Sequence, residues 1–137
     1  MAVRLVRADR LFGGVPYAYA SACGPGQLVF SAGACPLDEQ GVVVGPGDVR
    51  HQARQVVANL EQALAAAGAG MADVLKTTVY VASGDRADLV AVWDIVRAAF
   101  GGHDAPSTLL GVSALGYDGQ LVEVEAVACI NGSSPAD

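Results

Sequence analysis

Residues 121–130 run Leu-Val-Glu-Val-Glu-Ala-Val-Ala-Cys-Ile, an apolar segment with two carboxylates placed two apart. Successive strand side chains point to opposite faces. Val122, Val124, Ala126, Ala128 and Ile130 therefore form one wholly apolar face, which must be core. Leu121, Glu123, Glu125, Val127 and Cys129 form the other. Upstream the period changes to that of a helix. Val49, Ala53, Val56, Val57, Leu60 and Leu64 make one stripe, with Asp48 as a fitting N-cap and Gly68 as a fitting C′ residue. Leu89, Val92, Trp93, Val96 and Phe100 make a second stripe, opening near Asp85, with Asp88 favourable to the helix dipole, and ending around Gly101 and Gly102.

Around these helices, residues 17–23 and 27–35 read as strands joined by Gly24-Pro25-Gly26, and residues 2–6 as an added edge strand. Residues 41–47 suit a loop or short strand before the first helix. Residues 74–82 and 108–115 are further strands, and Gly116-Tyr-Asp-Gly119 turns into the glutamate strand. The order β(β)β–α–β–α–ββ predicts an α+β domain, a mixed sheet with two helices on one face. The open face also carries apolar residues, which suits burial against neighbouring subunits.

Composition sharpens this picture. With 53% hydrophobic and 16% charged residues in 137, the chain is poor in charge for covering a small monomer, so an oligomer is expected. No apolar run approaches the roughly 18 residues that cross a bilayer, and residues 1–7 lack a signal-peptide stretch. A soluble, cytoplasmic protein is expected, with no membrane partner. The net charge of −6 opposes nucleic-acid binding, and Arg4, Arg7 and Arg10, the one local basic cluster, read as a solvated strand edge. Cys23, Cys35 and Cys129 have no metal-ligand spacing and read as buried thiols of a reducing compartment, each reactive only if it lines a pocket. His51 and His103 are expected at the surface.

The best candidate site is Glu123, because a carboxylate inside an apolar strand must be paired, protonated or facing a wet cleft. Glu125 reads as solvated or ion-paired. Segments 15–19 (VPYAY), 28–37 (LVFSAGACPL), 54–61 (RQVVANLE), 65–68 (AAAG), 73–81 (DVLKTTVYV) and 121–128 (LVEVEAVA) add a second line of inference. In this order, across about residues 13–130, the chain resembles the reactive intermediate deaminase (Rid) family, also called YjgF or L-PSP endoribonuclease. The resemblance implies a single domain over residues 1–130 with a polar tail over 131–137. It implies a chorismate-mutase-like fold in a barrel-like homotrimer, with small-molecule clefts between subunits and no metal or organic cofactor.

The activity implied is hydrolysis of enamine and imine intermediates, such as 2-aminoacrylate, to a carbonyl compound and ammonia. Glu123 would orient the attacking water and Tyr17 would close the cleft. Backbone groups near Gly33 and Leu109 would hold substrate, with Ser107 and Thr108 offering neutral hydroxyls. The chain departs from the family pattern where an arginine would grip a substrate carboxylate. Ser107 stands there, and no arginine follows Arg97. A hydroxyl cannot replace a guanidinium fork. Ala32 and Trp93 replace more polar cleft residues, so a less cationic, more apolar cleft is expected, with 2-aminoacrylate disfavoured. A non-catalytic small-molecule binder is the alternative, and an endoribonuclease or translation inhibitor the least favoured.

Overall fold

A computed structural model describes residues 3–131, so most of the polar tail lies outside the described residues. The strand with the strict alternation is the centre of the molecule. Numbered in chain order, the strands are β1 (Val3–Val6), β2 (Ala20–Cys23), β3 (Gly26–Phe30), β4 (Val74–Val81), β5 (Ser107–Gly111) and β6 (Val122–Asn131). The helices are α1 (Val49–Ala66) and α2 (Arg86–Phe100), with a 3-10 turn at Met71–Asp73. The main sheet has the order β3-β6-β4-β5. Strand β6 is antiparallel to both neighbours, while β4 and β5 are parallel and linked through α2.

Strands β1 and β2 form a separate antiparallel ribbon rather than an extension of the main sheet. The strand expected over 17–23 is pared to its last four residues. The strand over 27–35 stops at Phe30 and resumes only as an isolated bridge, Ala34 to Val124. The segment 108–115 is a strand only to Gly111. Each shortening falls where the chain leaves a partner, since β-branched content cannot supply missing ladder bonds.

Both helices form as their sequences direct. Asp48 accepts from the His51 amide and Asp85 from that of Ala87. At the end of α1, Gly68 adopts a positive φ of 85°. The Ala69 amide then reaches Leu64 O at 2.8 Å and the Gly68 amide reaches Ala65 O at 3.0 Å, the two bonds of a Schellman closure. The stripes meet the apolar face of β6: Val56, Leu60, Leu64, Val92, Val122, Val124 and Ala128 are fully buried in one cluster. Each such aliphatic side chain stabilises the fold by about 1.5–3 kcal/mol relative to exposure.

The register places the other face. Leu28 and Phe30 of β3 pair with Cys129 and Val127 of β6. Glu123 pairs with Tyr80 of β4, which pairs with Leu110 of β5. No helix covers this face, and Phe30 is 71% and Leu28 54% exposed within one protomer.

Candidate functional site

Glu123 lies on the open face of β6 and is half-buried. Two donors converge on its Oε1: Gln120 Nε2 at 3.0 Å and Cys35 Sγ at 3.5 Å. Gly33 passes so close that a Cβ there would overlap the Glu123 carboxyl group. Its glycine identity thus follows from close approach. The bridge between Ala34 and Val124, with Ala34 N to Val124 O at 2.7 Å, holds this segment against β6. Burial, followed by the neighbouring Glu123 charge and its hydrogen bond, raises the pKa of the Cys35 thiol. Glu125, one pair along, accepts from the Tyr80 hydroxyl at 3.1 Å. Burial of the Tyr80 ring, with that bond, raises its pKa as well.

The remaining predicted residues gather elsewhere. Pro16, Tyr17, Trp93, Ser107, Thr108 and Leu109 line an open cleft of about 550 Å³ at the β5 edge. Tyr17 packs edge-on to Trp93, with ring centroids 6.4 Å apart. Trp93 thus serves the cleft wall as well as the helix stripe. Arg7 holds the Tyr17 segment in place through Val15 O at 3.3 Å and Tyr17 O at 2.5 Å, and pairs with Asp104 at 3.2 Å. Arg4, Arg7 and Arg10 are all exposed, as expected of a solvated strand edge, and Arg7 has this tethering role in addition. His103 is likewise not a free surface group, since its Nε2 meets Val74 O at 2.7 Å.

Ser107 Oγ turns inward to Thr77 Oγ1 at 2.5 Å. A cation does reach the rim from β4: Lys76 Nζ donates to Thr108 Oγ1 at 2.6 Å. Ser107 and Thr108 occupy successive strand positions, so the ammonium stands on the opposite sheet face from Ser107. The cleft is neutral on its inner side, with one positive charge at its outer edge.

Glu123 and Gly33 do not line the β5-edge cleft, and Ala32 is exposed away from it. Strand β4 separates β6 from β5, about 10 Å across two strand spacings. Glu123 also faces the open side, whereas Ser107 and Leu109 face the helix side with Thr77 and Val79. The candidate residues therefore fall into two separate groups, an acidic one on the open face and an aromatic, hydroxyl-lined one at the sheet edge.

Sequence reasoning missed three residues. Gln120 is 3% exposed, and Gln52 is fully buried, donating to Gly119 O at 3.0 Å and accepting from Leu121 N at 2.7 Å. Gln52 falls on the apolar stripe of α1, a legible signal of a buried polar role. Cys35 was singled out only as one of three thiols. The other two correct the reduced-thiol expectation, because Cys23 and Cys129 are joined in a disulfide with Cα atoms 6.5 Å apart. Among the described residues no cluster of acidic, histidine or cysteine side chains could hold a metal, and no helix is long and apolar enough to cross a membrane.

Comparison with known proteins identifies the family and the fold. The family model described as Endoribonuclease L-PSP matches residues 15–130. A RutC family protein of Pyrococcus horikoshii is 34% identical over 110 residues, 80% of this chain and 85% of that protein. A 2-iminobutanoate/2-iminopropanoate deaminase of Rattus norvegicus is 32% identical over 111 residues, 81% of this chain and 79% of that protein. A solved structure from Yersinia pestis, described as a protein of unknown function of the conserved Rid protein family, superposes with a TM-score of 0.89 at 32% identity. That match covers 95% of this chain and 100% of the other.

Proposed function

Because this chain belongs to the L-PSP (Rid) family, we propose that it hydrolyses reactive enamine or imine intermediates to a carbonyl compound and ammonia. The reaction would take place in clefts between the subunits of a homotrimer. The observation that carries the proposal is the division of the candidate residues into two half-sites on opposite sheet faces. Neither half suffices alone. Packing the uncovered face of one protomer against the β5 edge of a neighbour buries Leu28 and Phe30, and brings Glu123 toward that neighbour's Tyr17, Trp93 and Leu109.

In such a cleft Glu123 takes a proton from water as the water oxygen bonds to the imine carbon. The carbon–nitrogen π electrons move to nitrogen, which is protonated, giving a carbinolamine. Collapse of the carbinolamine re-forms a carbon–oxygen double bond and expels ammonia, with one water consumed. The Tyr17 hydroxyl, which has no hydrogen-bond partner among the described residues, donates to the developing charge. None of these steps calls on a metal or an organic group.

Substrate preference follows from the walls. The inner cleft offers paired hydroxyls and aromatic rings where a guanidinium fork would favour a small carboxylate. Imines with apolar or aromatic substituents therefore suit it better than 2-aminoacrylate. The test generates imino acids of graded size with an amino-acid oxidase and follows ammonia release. Acceleration that vanishes in Glu123→Ala, and is greatest for the larger apolar members, is the expected result. If no imine is accelerated, hydrolysis is excluded as the function. The inward-turned Ser107 favours a second reading, a non-catalytic binder, which ligand binding without turnover would establish. The family's endoribonuclease label fits poorly with a net charge of −6.

A further inference from the structure

The two donors on Glu123 have a consequence for how its carboxylate works. Gln120 is almost fully buried, and its amide has every group committed. Its Oε1 accepts from Tyr117 N at 3.1 Å, while Nε2 donates to Val122 O at 3.1 Å and to Glu123 Oε1 at 3.0 Å. Flipping the amide would set oxygen against two acceptors, so its orientation is fixed by chemistry. The Cys35 Sγ lies 3.5 Å from the same Glu123 oxygen and 3.4 Å from Gly33 O, so its single proton is shared between these two acceptors. Burial and the adjacent carboxylate raise its pKa, so at neutral pH it keeps its proton and donates. Glu123 Oε2 has no donor among the described residues. Oε2 is the carboxyl atom packed against Gly33, where a Cβ would overlap it. Because no fully buried side-chain polar atom among the described residues lacks a partner, Oε2 is not sealed from water.

We propose that Gln120 and Cys35 are positioning residues that together hold Glu123 Oε1, leaving Oε2 as the oxygen that receives the proton from water. The inference rests on the hydrolase reading for its catalytic meaning, but the arrangement itself can be tested without any substrate. Cys35 thus acts as a hydrogen-bond donor and not as a nucleophile. Gly33, by lacking a side chain, leaves room for the carboxylate in this pose. The groups facing the thiol are Glu123 and Gln120; Tyr80, across β4 from Glu123, is held protonated and adds no charge.

Two substitutions should move the Cys35 titration in opposite directions. Thiolate absorbance is followed against pH, subtracting in each case the same protein carrying Cys35→Ser. Glu123→Gln removes the repelling charge, so the thiol should ionise at lower pH. Gln120→Leu removes the neighbouring amide, whose N–H dipole lowers the thiol's pKa, so ionisation should move to higher pH. Identical titrations in wild type and Glu123→Gln would overturn the arrangement, and that variant decides the matter even if Gln120→Leu does not fold.

The kinetic arm uses the preferred imine. Gln120→Leu should lower kcat about tenfold with KM unchanged. Cys35→Ala should also lower kcat, and Cys35→Ser, which keeps an O–H donor, should recover most of it. A rise in KM with kcat preserved would assign these residues to the pocket wall instead, and overturn the positioning role. Opposed titration shifts in a protein that turns over no imine would sink the proposed reaction while leaving the carboxylate arrangement standing.

Discussion

Replacing Gln52 by methionine is expected to destabilise the protein by about 3 kcal/mol, although no part of the site is touched directly. Gln52 sits on the buried stripe of α1, and its amide is the link between that helix and the loop entering β6. Methionine keeps the length and roughly the volume, so little of the loss comes from a cavity. What is lost is the acceptor for Leu121 N, at 2.7 Å, and the donor to Gly119 O, at 3.0 Å. Leaving the half-buried Leu121 N without a partner costs about 1–3 kcal/mol, and losing the bond to the exposed Gly119 carbonyl adds about 0.5–1.5 kcal/mol. The bond to Gly45 O is longer, at 3.3 Å, and adds little. Urea unfolding followed by the fluorescence of the single tryptophan, Trp93, measures the effect. With a slope of about 1.5 kcal/mol per molar, the midpoint should fall by about 2 M. Wild type and variant must be compared at equal protein concentration, because assembly adds to stability by mass action. A fall smaller than about 0.5 M would show that the amide is not holding the loop.

Four further outcomes can be checked. Leu60→Ala, at a fully buried position of α1, should cost about 3–4 kcal/mol in the same assay. Breaking the Cys23–Cys129 disulfide, which spans 106 residues, should cost up to about 4–5 kcal/mol on chain-entropy grounds, read as a drop in melting temperature with reductant that Cys23→Ala already shows without it. Phe30→Asp, on the uncovered sheet face, should shift solution mass toward the monomer by sedimentation and remove turnover with it; an unchanged mass would place the subunit interface elsewhere. The hydrogen bond from the His51 amide lowers the pKa of Asp48, so its capping contribution is complete above the ordinary aspartate range and is lost as pH falls through the lowered value. Asp48→Asn, which keeps an acceptor, should therefore flatten the loss of thermal stability between about pH 4 and pH 2.

The helices and β6 were legible because local signals agreed: caps at Asp48 and Asp85, stripes at helical spacing, and strict alternation from Val122 onward. Periodicity could say which face Glu123 occupies, but not what stands beside it. That depends on a bridge between Ala34 and Val124, 90 residues apart in the chain. The same holds for the Cys23–Cys129 pair, whose spacing carries no motif. The assignment of Ser107 and Glu123 to one cleft presupposed that they could meet. Within one chain β4 intervenes and the two side chains point to opposite faces, so they could meet only across subunits, which no local pattern in the sequence reveals. Strand ends were overextended at 17–19 and 112–115, where β-prone residues find no ladder partner. Buried Gln52 and Gln120 escaped notice because glutamine is ordinarily a surface residue, and only its place within an apolar stripe betrays the former.

Among the described residues the strand that comes last in the chain, β6, is an inner strand of the sheet. Until β6 emerges, β3 and β4 have no hydrogen-bonded neighbour in common, and their backbones wait exposed. A nascent chain halted short of residue 122 can build two helices but cannot join its halves. Closure thus waits on long-range pairing, slow by the measure of contact order. Chains truncated before β6 should be insoluble and quickly degraded rather than partly active.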